Sequence, residues 1–226
     1  MRSRLVHFSA CCLVASLVSA CGSLLGLPGQ GPAPQLYNLS ALESVAADQQ
    51  MGTLRLVVEE PDAPRAIDSD RIALHPSQVE IKYYKGAKWS DRAPRLVQTL
   101  LVESFDNTGS FEFVGRDAAG LTTPYLLKSS LSDFHTIYDG RRPTAVVKLK
   151  LSIIDRGKGQ ILAARIFESR SNAQADSIRP VVLAFDAAVN QILKDAVPWT
   201  LGVLNIEQAE SDDEADPVEP EELPDR

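Results

Sequence analysis

Alternating apolar and polar residues predict most of the secondary structure of this chain. An apolar residue at every second position is the pattern of a strand with one buried face. In residues 78–84, for example, Val79, Ile81 and Tyr83 form the apolar side of such a strand. The predicted strands lie in residues 36–39, 54–58, 71–74, 78–84, 111–113, 124–132, 145–154 and 161–168.

The last three of these strands are separated by turn signals and predict an antiparallel meander. Asp139-Gly140 separates the first two, and Gly157-Lys158-Gly159 separates the second and third. The glycine-lysine pair also invites comparison with a phosphate-binding loop. That motif needs GxxxxGK[ST] between a strand and a helix, whereas this one joins two predicted strands. We therefore interpret it as a hairpin turn.

Two amphipathic helices are predicted from apolar residues at 3.6-residue spacing. The first follows Ser90 and Asp91, either of which can cap it, and ends near Asn107-Thr108-Gly109. The second covers Ser177 to Val197, and Pro198 predicts its end or a kink. Two helices on one face of a mixed, largely antiparallel sheet give an α+β fold with a two-layer arrangement.

The N-terminal segment has the pattern of a secretion signal. Arg2 and Arg4 precede an uncharged apolar run that is too short to span a bilayer, which takes about 20 residues. Val18-Ser19-Ala20-Cys21 then resembles a bacterial lipobox, in which the cysteine is diacylated and becomes the first residue of the mature chain. We expect residues 1–20 to be a lipoprotein signal peptide and Cys21 to be the lipidation site.

Charge and composition divide the rest of the chain. The formal net charge is −7, and the acidic excess is concentrated in residues 207–226, which we expect to be a disordered tail. Residues 21–35 are rich in glycine and proline and predict a flexible tether, so that residues 36–206 form a single domain. The body is close to neutral and offers no basic face, which argues against nucleic-acid binding.

Cysteine and histidine usage gives no catalytic or metal site. Cys11 and Cys12 leave with the predicted signal, so that an acylated Cys21 leaves no pair for a disulfide. His75 and His135 are far apart in sequence, and neither has a second histidine or cysteine nearby. Ser132 and Asp133 near His135 supply residue types of a catalytic triad, but strand neighbours point to opposite faces. We expect a surface or strand-end histidine, no cofactor, no metal and no enzymatic activity.

Three aromatic residues lie between the second predicted hairpin and the first helix. Tyr83, Tyr84 and Trp89 have two interpretations. In the first, Trp89 packs beneath the start of the helix and fixes its angle. In the second, part of the cluster forms an apolar contact surface for a partner subunit, because Trp and Tyr are favoured anchors of interfaces. The sequence leaves both open.

From about Tyr37 to Trp199 the chain resembles the ABC-type transport auxiliary lipoproteins, which include PqiC-like proteins. The resemblance rests on four features of the sequence: Tyr37-Asn38-Leu39 after the tether, Ile72 to Tyr83 leading through Lys88-Trp89-Ser90-Asp91 into the first helix, Gly109-Ser110-Phe111, and the final helix around Phe185 to Ala196. The acidic tail departs from the family pattern.

The resemblance implies a lipid-anchored protein that works beside a mammalian-cell-entry (MCE) type ABC transporter. Such a system moves phospholipid or other hydrophobic molecules between the inner and outer membranes, and its permease and ATPase are separate chains. Relatives suggest a homo-oligomeric ring at the outer membrane. Gly22, which is not the aspartate associated with inner-membrane retention, agrees with outer-membrane sorting.

Two other functions remain open from the sequence. The first is a structural lipoprotein that docks on envelope proteins without handling lipid, and the second is a periplasmic hydrolase. An uncovered apolar groove would favour lipid handling. A flat polar surface would favour docking, and polar side chains that converge around His135 in a pocket would favour an enzyme.

Overall fold

The computed structural model describes residues 33–43, 54–117, 120–138 and 142–215, with side chains as far as Glu207. The predicted signal peptide, Cys21, most of the tether and the end of the acidic tail lie outside the described residues. The chain divides after Ala33, and the fold below belongs to the second unit. Its elements are β1 Gln35–Tyr37, β2 Leu54–Val58, β3 Arg71–Ser77, β4 Glu80–Trp89, α1 Ala93–Asp106, β5 Phe111–Gly115, β6 Tyr125–Tyr138, β7 Pro143–Asp155, β8 Gln160–Asn172 and α2 Ile178–Ala215.

Strand β6 organises the sheet. Along one edge it pairs with β7 in antiparallel orientation, and β7 pairs with β8, which confirms the predicted meander. The other edge of β6 carries two parallel strands, β2 near its start and β3 near its end. Strand β5 pairs with β2, and β4 connects β3 to β1. Within the described ranges, eight strands therefore form one mixed sheet.

The sheet is a curled half-barrel, which corrects the plain two-layer arrangement expected from the sequence. Two register shifts interrupt the long strands, one between Leu131 and Asp133 and one between Ile153 and Ile154. Such bulges bend a strand and increase its right-handed twist. The α+β class is confirmed, and the helices pack inside the curve.

Helix α1 begins two to three residues after the predicted caps, and neither of them caps it. The cap residue is Arg92, which makes no capping hydrogen bond from its side chain. The Ala93 amide instead donates to the Ser69 carbonyl at 3.0 Å, and the Arg92 guanidinium pairs with Glu60 and Asp68. Neighbouring segments thus satisfy the helix start. At the other end Gly109 has a φ of +65°, as expected for a glycine that ends a helix.

Helix α2 is longer than predicted and continues through Pro198 to Ala215. A proline inside a helix costs about 3 kcal/mol, but the residues around it are well packed. Val197 and Leu204 are buried, and Trp199 packs edge-on against Phe167 of β8 with ring centroids 5.5 Å apart. The first part of the predicted disordered tail is therefore helical.

The Gly157-Lys158-Gly159 turn is a hairpin turn between β7 and β8, as predicted. Asp155 Oδ1 accepts hydrogen bonds from the Gly157 and Lys158 amides at 2.7 and 2.9 Å. The Lys158 ammonium donates to Glu207 Oε1 at 2.7 Å and so attaches the turn to α2. Lys158 therefore makes a structural contact with α2.

The concave side of the sheet and the two helices enclose one hydrophobic core. The largest buried side chains include Trp89, Phe105, Phe134 and Phe185. In the part of the chain that the structure describes, no helix is long and apolar enough to cross a membrane.

Candidate functional site

The aromatic residues proposed as a partner surface are divided between the core and its margin. Trp89 is only 1% exposed, and its ring lies 5.2 Å from that of Phe185 and 5.4 Å from that of Phe134. A side chain at this depth contacts no partner subunit. Trp89 is therefore a core residue, because α2 covers the face of β4 on which it lies, and a partner contact of the cluster would involve Tyr83 and Tyr84.

Tyr83 and Tyr84 are half-buried and hold β4 to the rest of the domain. The Tyr83 hydroxyl donates to the Ala66 carbonyl at 3.0 Å, and the Arg71 guanidinium lies 3.7 Å from the centre of the Tyr83 ring. The Tyr84 hydroxyl and Thr136 Oγ1 lie 2.9 Å apart. Their partly exposed edges remain available, and a partner contact there stays a prediction.

The end of the β3–β4 hairpin is the most exposed apolar feature near these residues. We call residues 76–82 the β3–β4 tip. Val79 is 96% exposed and Ile81 is 46% exposed, although alternation placed both on the apolar side of a half-buried strand. The parallel pairing of β3 with β6 ends at His75 and Ile137, so that the tip extends past the sheet that would cover it.

The same parallel pairing joins the two histidines that the sequence separates. Ala73 lies beside His135 in the sheet, and His75 follows two residues later on the same face. The two imidazole rings stack with centroids 3.7 Å apart and planes inclined by 12°. His135 is consequently buried near the end of β6, which corrects the expectation of a surface histidine but agrees with a position near a strand end.

A cleft of about 460 Å³ opens beside this histidine pair, on the face of the sheet opposite the helices. Residues of β3, the β3–β4 tip and the end of β6 line it. Burial and the hydrogen bond donated to Asp176 raise the pKa of Tyr138 at its edge. The lining residues are His75, Pro76, Ser77, Gln78, Asp133, His135, Ile137 and Tyr138.

His135 is a neutral residue in this environment at pH 7. Burial is the main cause that lowers its pKa to about 4, and the neighbouring His75 adds to the effect. Asp133 opposes the shift, but its Oδ1 is 3.7 Å from His135 Nδ1, which is too long for a hydrogen bond. Arg170 on β8 lowers the pKa further.

The geometry does not assemble a nucleophile with a base at this cleft. The Ser132 hydroxyl is exposed and donates to the Lys148 carbonyl at 3.4 Å, and the bulge next to it separates it from His135. His75 Nε2 is buried without a hydrogen-bond partner in the structure. Among the residues described, no group of three or more histidine, cysteine or acidic side chains is arranged to hold a metal ion.

The low pKa of His135 predicts a pH-dependent loss of stability. The unfolded chain protonates this histidine near pH 6.5, but the folded chain does so only near pH 4. Stability present above pH 6.5 is therefore lost as the pH falls through this window, because the unfolded state binds the proton first. Between pH 7 and pH 4.5, the free energy of unfolding measured with urea should fall by about 2–3 kcal/mol less in His135→Phe than in the wild type. Phenylalanine keeps a stacking ring but does not titrate. Equal losses in the two proteins would contradict this origin.

The space between the helices and the sheet is filled by side chains. The free volume in the centre of this layer is about 10 Å³, whereas pockets for small molecules typically hold about 300–1,000 Å³. The residues that close it come from α1, α2, β6 and β7: Val97, Leu100, Leu131, Val147, Leu149, Val189, Ile192 and Leu193. This cavity is far too small for a lipid.

These features define an α+β body whose helices and sheet bury their apolar faces against each other, with an exposed hairpin at one end. The chain belongs to the family of ABC-type transport auxiliary lipoprotein components, whose family model matches residues 37–197. This confirms the resemblance deduced from the sequence. The family description assigns a role in transport and a lipid-anchored location in the cell envelope.

Relatives and solved structures agree with this assignment of the fold. An uncharacterized protein of Bradyrhizobium diazoefficiens is 27% identical over 187 residues, which cover 80% of this chain and 50% of that protein. The chain thus spans about half the length of this curated relative. A crystal structure of a Xanthomonas campestris protein of the DUF330 family has a TM-score of 0.70 at 24% identity and covers 77% of this chain and 99% of its own. A second, uncharacterized structure has a TM-score of 0.59 at 16% identity and covers 74% and 99%.

Proposed function

We propose that this chain is a periplasmic auxiliary component of an MCE-type ABC transporter that moves phospholipid or other hydrophobic molecules between the inner and outer membranes. It is held in the outer membrane by acyl chains on Cys21, and it acts by binding and docking. The observation that carries the proposal is the family match over residues 37–197, which extends from β1 into the last helix.

Docking is favoured over carrying lipid in the centre of the monomer because that centre is packed with side chains. Phe134, Phe185 and Trp89 are buried there, and the cavity between α1, α2, β6 and β7 holds only about 10 Å³. A phospholipid acyl chain is far larger than this volume. A path for lipid would then have to be formed with the MCE-domain chain or between copies of this protein, which agrees with the proposed homo-oligomer.

Binding is also favoured over catalysis. His135, the best candidate for a general base, has its pKa lowered to about 4 and accepts no hydrogen bond from a nucleophile in the structure. A general base works best with a pKa near the operating pH. Polar residues do surround His135 in a cleft, but their arrangement fits a contact surface better than a reaction centre.

Partner capture tests the proposal. The tagged full chain, cross-linked in living cells and purified from solubilised membranes, should recover the MCE-domain protein of the same organism, identified by mass spectrometry. Cells that lack this MCE-domain protein provide the background. Recovery of envelope proteins at unchanged levels in both strains, with no MCE-domain peptides, would favour the alternative of a docking lipoprotein outside such a system.

A further inference from the structure

Strand β8 forms a long free edge of the sheet. It pairs with β7 along one side, and within the described residues no strand pairs with its other side. No described backbone hydrogen bond from a turn or loop reaches that side either. At 13 residues β8 is much longer than a typical strand of about five or six. An edge of this length presents a row of unpaired amides and carbonyls, which is a template for another strand.

The two faces of β8 differ in what covers them. Phe167 is buried on the concave side, where Trp199 of α2 packs against it. Ile166 lies on the convex side, opposite the helices, and is 58% exposed. Glu168, its neighbour on that side, pairs with Lys148 of β7 at 3.5 Å. A branched aliphatic side chain therefore stands in the middle of the free strand, on a face that is otherwise polar.

The length of this edge indicates which strand fits it. The other edge strands described are β1 with three residues and β5 with five, so that neither matches β8. A second copy of β8 has the same length. Ile166 is the middle residue of the strand, so that a two-fold axis at Ile166 aligns two antiparallel copies from end to end. Leu162 is an extra residue in the pairing with β7, which leaves Ala163 to Ser169 as the regular centre of such a contact.

This register sets no like charges opposite each other. Ile166 faces Ile166 of the second copy, and Glu168 faces Ala164. On the concave side Arg165 faces Phe167 of the second copy, and it already lies over Phe167 of its own chain at 5.1 Å from the ring centre. Aliphatic pairs across strands stabilise a sheet, so that the exposed isoleucine gains a partner of its own kind.

Neighbouring registers fit less well. An axis at Arg165 or at Glu168 would set that residue against its own copy, and like charges directly opposite each other destabilise a sheet. An axis at Phe167 would leave Ile166 opposite Glu168. An axis at Ser169 would set Glu168 against an arginine that it already binds within its own chain at 3.1 Å, and it would pair only about half of the strand.

We propose that β8 is a contact between two copies of this chain, which pair their free edges antiparallel about a two-fold axis at Ile166. The contact joins two eight-stranded sheets into one, satisfies the free backbone groups and covers Ile166. It makes a dimer, because an isologous contact closes on itself, and a ring is then assembled from dimers through a second surface. This inference rests on the homo-oligomer of the proposed function and names the surface that forms it.

A disulfide at the two-fold axis tests this contact. Facing residues of an antiparallel pair have Cα atoms about 4.5–5.5 Å apart, which is within the range of a disulfide. Ile166→Cys in the acylated full chain adds one free thiol. We expect mild oxidation of isolated membranes to give a disulfide-linked dimer on a non-reducing gel, which dithiothreitol removes. The wild-type chain gives the background from any Cys21 that is not acylated.

Ile161→Cys is the matched control, because Ile161 is an isoleucine of the same strand and is 65% exposed. In the proposed register the two copies of this residue lie roughly 33 Å apart along the strands, at about 3.3 Å per residue. Its dimer should be several-fold weaker than that of Ile166→Cys. Equal cross-linking at the two positions would indicate random collision and would overturn the proposal. A stronger cross-link from Ser169→Cys than from Ile166→Cys would also overturn the axis.

Ile166→Arg gives a second measurement without a thiol. It sets two like charges against each other at the axis, so that the purified acylated chain in amphipol should lose most of its dimer in native mass spectrometry. Ile161→Arg should keep it, and circular dichroism checks that both variants are folded. An unchanged dimer in Ile166→Arg would contradict the contact. These measurements report only on copies of this chain, whereas recovery of the MCE-domain protein reports on the transport role, so that a failure of either is recognised separately.

Discussion

Trp89→Ala should lower the free energy of unfolding by about 3–5 kcal/mol, the typical cost of removing a large aromatic side chain from a core. Trp89 is 1% exposed and lies against Phe134 of β6 and Phe185 of α2. Its removal leaves a cavity at the place where β4, β6 and α2 meet. Urea unfolding followed by circular dichroism measures the loss.

Val79→Ala is the matched comparison because Val79 belongs to the same β3–β4 hairpin but is 96% exposed. Its free energy of unfolding in solution should stay within about 0.5 kcal/mol of the wild-type value. The two variants separate a core role from an interface role. A Trp89→Ala protein with unchanged stability but weaker partner binding would restore the interface interpretation of Trp89.

Cys21→Ser should release the protein from membranes almost completely. The predicted anchor consists of two or three acyl chains attached through this cysteine, and each buried methylene contributes about 0.8 kcal/mol to membrane binding. Serine offers no thiol for the acyl transfer.

Cell fractionation and labelling with radioactive palmitate measure this effect. Cys12→Ser is the control, because Cys12 lies within the predicted signal peptide and its loss should change neither palmitate incorporation nor membrane recovery. Palmitate incorporated into the Cys21→Ser protein would refute the lipobox assignment.

Local patterns were sufficient to predict the elements that pack against their neighbours in sequence. The β6–β8 meander, the turn at Gly157-Lys158-Gly159 and the left-handed Gly109 depend on alternation and turn chemistry, and the structure confirms them. The sequence left open whether α2 ends or kinks at Pro198. The helix continues because the tertiary packing of Val197, Trp199 and Leu204 outweighs a local helix breaker.

Features that depend on long-range pairing were not predictable in the same way. The stacking of His75 on His135 requires β3 to lie parallel beside the end of β6, and no signal in the sequence specifies this neighbour. The exposure of Val79 and Ile81 has the same origin, since alternation reports an apolar side but not whether another layer covers it. The bulge after Leu131 also changes which residues of β6 face inward.

The three aromatic residues that the sequence groups together are divided between the core and the β3–β4 hairpin. Trp89 is a core residue, whereas Tyr83 and Tyr84 hold the hairpin that projects from that core. Pro76, Ser77 and Gln78 of the tip line the histidine cleft. Residue spacing in the sequence gave no indication of this arrangement.

The central claim is that this chain docks on an MCE-type transporter while anchored in a membrane. Reciprocal capture tests it most directly, with the tag placed on the MCE-domain protein and the wild-type and Cys21→Ser forms of this chain compared after cross-linking in cells. We expect the acylated chain to be recovered with the MCE-domain protein, and the Cys21→Ser form to be recovered at a much lower level. Absence of the wild-type chain from the captured complex, when cross-links within the transporter are present, would contradict it.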